Sequence, residues 1–182
     1  MTILTMIDPA TAEPKAKALL DGVNRKLGVT PNMMKVMASN PAVLGAYLGF
    51  SGALAGGRLG TRLQEQIALA VAEANGCDYC LAAHSLLGGA AGLSADDLLD
   101  ARTGMASDAR AAAALSFALK LVAQRGRIDH DDITAARAAS LADADIVEII
   151  AAVALNLFTN YLNTAAKTAV DFPPVPALAD AA

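Results

Sequence analysis

Basic stripes are missing from this sequence. With 14 Lys and Arg against 18 Asp and Glu, a net charge of −4 and a pI near 5.0, it has nothing that could displace counterions from phosphates, which argues against a nucleic-acid partner. Long apolar runs are missing too. Although 55% of residues are hydrophobic, no run approaches the roughly 18 residues of a membrane span, and the longest, Ile149 to Leu155, is closed by Glu148 and Asn156. No charged and then apolar segment opens the chain in the manner of a signal peptide, so neither a leader nor a membrane is expected. No alternating apolar and polar run bounded by hairpin signals occurs, so strands are not expected. Low-complexity segments and convincing repeats are absent. Cysteine is rare, with two in the chain, too few for the disulfide framework of a secreted domain.

What remains reads as helix. Asp8-Pro9 is read as the N-cap and first position of a helix through Ala16, Leu20 and Val23, ended by Leu27-Gly28. Pro31 to Ala38 form a short helix whose methionines are core filler, and Asn40-Pro41 starts another toward Leu54. Thr61 and Gln64 make a capping box ahead of Ile67, Leu69 and Val71, and Asn75-Gly76 stops that helix. Gly88, Gly89 and Gly92 form a hinge into the caps Ser94 to Asp97, Ser107-Asp108 and Asp129 to Asp132, and the last long helix runs from about Ala144 to about Thr168. Pro173, Pro174 and Pro176 leave the tail, 171–182, loose or draped on a neighbour. The expectation is one all-α domain over residues 1–182, with about eight helices. A mean hydropathy of +0.42 without a membrane segment points to apolar surface buried between subunits, hence a homo-oligomer.

Both cysteines and one of the two histidines fall within eight residues, in the stretch from Glu65 to His84. Cys80 stands three positions after Cys77 and His84 seven, so on one helix the three side chains lie within about 60° of one another. A helix starting at about Cys77 or Asp78 puts both thiols in its first turn, where free N–H groups and the helix dipole favour an anion. A thiol there, with an imidazole one turn away to take its proton, should be acidified and reactive. A C-x-x-C pair of this kind fits a reducing cytoplasm.

The spacing Glu-x11-Cys-x2-Cys-x3-His, filled by Glu65, Cys77, Cys80 and His84, resembles the signature of the alkyl hydroperoxidase D-like family in the carboxymuconolactone decarboxylase superfamily. The likeness runs from Leu27 through Asn40-Pro41 to the glycines after His84, and the helix bearing Asn156, Asn160 and Asn163 is similar to the family's C-terminal helix. It implies an alkyl hydroperoxidase D-like helical bundle assembled as a trimer or hexamer. It also implies reduction of a hydroperoxide substrate without haem, flavin or metal. By resemblance Cys80 is the peroxidatic cysteine, Cys77 the resolving one, and His84 with Glu65 a proton relay through water. The implied partner is a dithiol reductant, which in well-studied relatives is a dihydrolipoyl group on a protein. The best-known members carry a further histidine before the second cysteine; here Tyr79 stands there, a poor base at neutral pH that could orient water.

Other readings compete. Cys77, Cys80 and His84, with Glu65, could bind zinc, but no second C-x-x-C or H-x3-H pair accompanies them. His130 among Asp129, Asp131 and Asp132 looks like a metal cluster and is read as a solvated cap. Glu73 competes with Glu65 as the relay acid but is expected on an exposed face. A lyase like the superfamily's decarboxylases would not need both cysteines, and a dithiol sensor of oxidants would have no turnover.

Overall fold

In the computed structural model, which describes residues 2–176 and Leu178, the helices are organised around an alanine-rich one. From Gln66 to Ala72 seven successive residues of α4 (Gly60–Ala74) are buried, because its small side chains let neighbours approach on every side. α5 (Asp78–Ala90), α6 (Ala95–Arg102), α7 (Ala109–Gln124) and α9 (Asp143–Ala166) pack directly on it. α1 (Pro14–Leu27) and α2 (Asn32–Met37) lie on α3 (Pro41–Ala55), α3 lies on α9, and α8 (His130–Ala138) closes against α7. These nine helices, one of them the six-residue α2, are all of the regular structure among the described residues, so the chain is all-α as expected.

α9 corrects one expectation. At 24 residues and a mean hydropathy of 1.4 it is long and apolar enough to cross a membrane by length and composition. Its inner face carries Ile146, Ile149 and Val153, then Asn156, Asn160 and Asn163, all buried against the bundle. Three buried carboxamides in line with an apolar stripe belong to a protein core, where Asn156 donates to the Ala152 carbonyl, Asn160 accepts from Asn75 and Asn163 donates to the Cys80 sulfur.

Several caps fall where the sequence puts them. Asn40 accepts the Ala42 amide, Ser94 and Asp97 form a capping box, and Asp129 with Asp132 forms another, which leaves His130 as the exposed first residue of α8. Others do not. Asp8 makes a turn, accepting the Ala10 amide, and the first helix starts at Pro14, which would have broken a helix running from Pro9. Gly88 and Gly89 lie inside α5 rather than in a hinge; a Cβ on Gly88 would stand 2.8 Å from Leu98 and 3.0 Å from Leu93, so bare backbone there admits α6. The tail residues 171–176 lie across their own chain rather than loose: Asp171 accepts the Asn32 amide at 2.8 Å and the Pro176 carbonyl accepts Arg102 Nη2 at 3.0 Å. The remainder of the tail, apart from Leu178, lies outside the described residues.

The Thr61–Gln64 capping box does not form. Instead Glu148, from α9, accepts the amides of Arg58 (2.7 Å) and Leu59 (3.2 Å) and the Gln64 side chain (3.2 Å), capping α4 from another helix. Glu148→Ala should therefore destabilise the fold by about 1–2 kcal/mol, the size of a lost N-cap, read as a lower midpoint in urea at unchanged slope.

Candidate functional site

The α4–α5 corner turns through Asn75 and Gly76, whose φ of +60° needs a residue without a Cβ. Cys77 follows as the N-cap of α5, and its Sγ accepts the Cys80 amide at 3.3 Å. Cys77 thus stands at the threshold of the first turn, with Cys80 three residues in. Both are free thiols, each 2% exposed. Cys80 forms part of the wall of a cavity of about 200 Å³, shared with Glu65, His84, Tyr47, Tyr79 and Asn156; Cys77 does not reach that wall.

The two sulfurs are not equivalent. The Cys77 thiol, hydrogen-bonded to the Cys80 sulfur, is the chief reason the Cys80 pKa falls, to about 6; burial opposes this, and the Asn163 amide, the His84 charge and Asn160 reinforce it. Cys77 moves strongly upward, first because its proton is held in that same bond and then because it is buried. At neutral pH the pair carries its negative charge on Cys80. The acidification expected from the helix terminus is therefore present, but its largest source is the neighbouring thiol.

Glu65 and His84 meet directly. The Glu65 Oε2 to His84 Nδ1 distance is 2.8 Å, closed across the α4–α5 contact. Burial pulls the imidazole pKa down, but the Glu65 hydrogen bond and charge, with the Cys80 sulfur behind them, leave it raised above its ordinary value. With Nδ1 on the carboxylate, Nε2 is the nitrogen free to exchange a proton.

Tyr79 is committed elsewhere. Its hydroxyl accepts the Met33 amide at 3.1 Å and its ring stands edge-on to Phe172, with centroids 5.4 Å apart. Burial first, and Asp171 nearby, push its pKa well up, so it holds its proton. Glu73, expected on an exposed face, instead pairs with the buried Arg102 at 2.7 Å. Among the described residues no three of His, Cys, Asp and Glu converge as a ligand set, because His84 Nδ1 is taken by Glu65 and Cys77 Sγ faces the Cys80 amide.

The third side of the site comes from α9. Asn163 Nδ2 donates to Cys80 Sγ at 3.4 Å and to Met33 Sδ at 3.1 Å. Met33 is thus more than core filler. Tyr47 and Ser51 of α3, which no motif marks, line both this cavity and a second one. That second cavity, of about 570 Å³, is mostly apolar and shares Met33, Tyr79 and His84 with the first. The asparagines had a readable signal: carboxamides at positions 156, 160 and 163 recur at helical spacing along an otherwise apolar helix.

This bundle, with its dithiol at a helix start and its carboxylate–imidazole pair, defines an alkyl hydroperoxidase D-like domain. Residues 41–124, from α3 through α7, match the Carboxymuconolactone decarboxylase family. Solved structures with this fold include an uncharacterized peroxidase-related protein from Silicibacter sp. TM1040, with a TM-score of 0.81 and 25% identity over 96% of this chain and 92% of that one. A second is the alkylhydroperoxidase AhpD core of an uncharacterized peroxidase-related protein from Ralstonia eutropha JMP134, with a TM-score of 0.81 and 24% identity over 97% and 94% of the two chains. A third is the debrominase Bmp8 in complex with 2,3,4-tribromopyrrole, with a TM-score of 0.79 and 23% identity over 94% and 92%. No curated protein sequence matches the chain.

Proposed function

We propose that the protein is a thiol-dependent peroxidase that reduces organic hydroperoxides through the Cys77–Cys80 dithiol. The observation that carries this reading is geometric: Cys80 lines a cavity whose wall also holds the hydrogen-bonded Glu65–His84 pair, and Cys77 stands three residues before it with its Sγ on the Cys80 amide. The Cys80 thiolate attacks the distal peroxide oxygen; the O–O bond breaks, Cys80 becomes a sulfenic acid, and the leaving alkoxide takes a proton from the His84 imidazolium. Cys77 then attacks the sulfenic sulfur, releasing water and forming the disulfide. An external dithiol, such as a dihydrolipoyl group on a partner protein, returns both sulfurs to thiols by exchange. Glu65 holds the charged imidazole and restores its proton, with Tyr79 as a wall of the site. We further infer a cytoplasmic homo-oligomer, a trimer or hexamer; the exposed Leu27, Val29, Leu86 and Leu87 around the larger cavity support association.

The apolar cavity supports a preference for bulky substrates. With dihydrolipoamide as reductant, cumene hydroperoxide should be consumed over many turnovers with kcat/KM at least about tenfold above that for hydrogen peroxide, since burying a few more methylene-sized groups is worth that much. Consumption that stops after one equivalent would instead mark a sensor, and equal constants would remove the cavity from substrate recognition. The same dithiol could replace bromine on an apolar ring by hydrogen, giving bromide and the disulfide. The apolar cavity and the shared fold with Bmp8 favour keeping 2,3,4-tribromopyrrole as a second substrate in the same assay. Bromide release outpacing peroxide loss would reassign the reaction.

A further inference from the structure

The larger cavity, of about 570 Å³, falls within the usual range of small-molecule sites, about 300–1,000 Å³, and has a closed side and an open one. On the closed side it abuts the Cys80 cavity along Met33, Tyr47, Ser51, Tyr79, Ala83 and His84, none of them exposed. On the open side its rim is formed by the exposed Leu27, Val29, Leu86 and Leu87, with the exposed Lys26 among them. Charge on this lining has one sign. No Asp or Glu lines the cavity, and Lys26 and His84 are the groups there that can carry a positive charge. His84 is engaged by Glu65, whereas Lys26 forms no ion pair among the described residues. Apolar walls below a single unpaired cation match an amphiphile with an anionic head.

We propose that the larger cavity binds the acyl chain of a long-chain fatty-acid hydroperoxide, with the carboxylate on Lys26 at the mouth and the peroxide-bearing part of the chain on the closed side, beside His84 and the Cys80 cavity. This rests on the peroxidase reading for the reaction but not for the binding. A carboxylate moved into the apolar interior would lose its hydration without gaining a partner, so the acid enters tail first. Lys26 keeps its ammonium in water while its methylene stem lies along the apolar rim, the position from which it meets a carboxylate at the mouth. In the reaction the peroxide O–O bond breaks, the fatty acid leaves as a hydroxy acid, and the thiols of Cys77 and Cys80 become the disulfide with release of water. A neutral substrate such as cumene hydroperoxide uses the same walls without the head group, and Lys26 therefore separates the two.

The test is calorimetric titration of the full-length protein with octanoate, decanoate and dodecanoate, which carry no peroxide, and with the matching primary alcohols. Affinity for the acids should rise about fourfold per methylene, the value of burying one such group. Lys26→Met, which keeps the stem and removes the charge, should weaken the acids about fivefold, the upper end for a solvent-exposed ion pair, and leave them level with the alcohols. In turnover with dihydrolipoamide, the same change should lower kcat/KM for linoleic acid hydroperoxide about fivefold relative to that for cumene hydroperoxide. Acids and alcohols that bind the parent equally well, or an affinity that does not grow with chain length, overturn the proposal. A second copy of the chain is the rival occupant of this rim, and protein that sediments as an oligomer and takes up none of the acids overturns the proposal in its favour. Acid binding that follows chain length and Lys26, in protein that turns over no hydroperoxide at all, removes the peroxidase reading and leaves the acyl site standing; turnover of cumene hydroperoxide without acid binding does the reverse.

Discussion

Cys80→Ser is expected to reduce hydroperoxide turnover by about a thousandfold or more, to the rate of the uncatalysed thiol reaction. A serine hydroxyl stays protonated at neutral pH and cannot take an oxygen from peroxide, so neither the Asn163 bond nor the His84 charge can compensate. The change should leave the fold intact, since the buried site keeps a group of similar size that can accept from Asn163. Cys77→Ser should behave differently. Its hydroxyl can still donate to Cys80, so one equivalent of peroxide should be consumed rapidly, after which the sulfenic acid persists and turnover stops. Following peroxide loss in both variants beside the parent, with dihydrolipoamide supplied, checks both outcomes. Unchanged turnover in Cys80→Ser would remove that residue from the chemistry, and a burst in Cys80→Ser but not in Cys77→Ser would exchange the roles of the two.

Glu65→Gln should narrow the pH profile of kcat/KM from both sides. Activity in the parent rises as Cys80 ionises, through about pH 6, and falls when His84 loses its proton, at a pH above the ordinary imidazole value because Glu65 raises its pKa. A neutral amide at position 65 keeps a hydrogen bond but loses the charge, so the imidazolium deprotonates at lower pH and the alkaline limb moves down. With less positive charge on His84 near neutrality, the thiolate loses one of its supports and the acidic limb moves up. Turnover near neutral pH should fall about tenfold, more at alkaline pH, in keeping with the loss of a tuned general acid. A profile that falls uniformly without moving either limb would show that Glu65 positions the ring without tuning its charge.

Much of this was legible in one dimension because it is local. The C-x-x-C spacing, the imidazole one turn on and the Asn75-Gly76 stop all lie within one helix–turn–helix, where the helical repeat converts sequence offsets directly into positions on a face. The caps at Ser94, Asp108 and Asp129 are local for the same reason. Asn160 and Asn163 announced themselves only as polar residues on an apolar stripe. Nothing in their spacing says which sulfur or which amide they meet. Tyr47 and Ser51 lie on α3, ahead of the motif and with no pattern of their own, and so were not readable.

The expectations that failed did so where a distant group displaced a local one. Thr61 and Gln64 have the residue types of a capping box, yet Glu148, more than eighty residues away, supplies a carboxylate to the amides of Arg58 and Leu59 just ahead of them and draws the Gln64 side chain with it. Glu73 has the appearance of an exposed acid until the buried Arg102 requires a counter-charge. Whether Glu65 reaches His84 was not readable from the sequence, because they belong to different helices; the packing of α4 on α5 brings them into direct contact at 2.8 Å.

By itself, then, the chain's order of residues determined that it is helical throughout, where most of its helices begin and end, and that two thiols and an imidazole share one edge of one helix. Which sulfur carries the charge was decided only when α9 laid its carboxamides beside Cys80 and Cys77 turned its proton inward. Backbone hydrogen bonding and side-chain period act over a few residues and can be counted along the chain. Charge in a buried site depends on every dipole within a few ångströms, and those are gathered by packing from helices far apart in sequence.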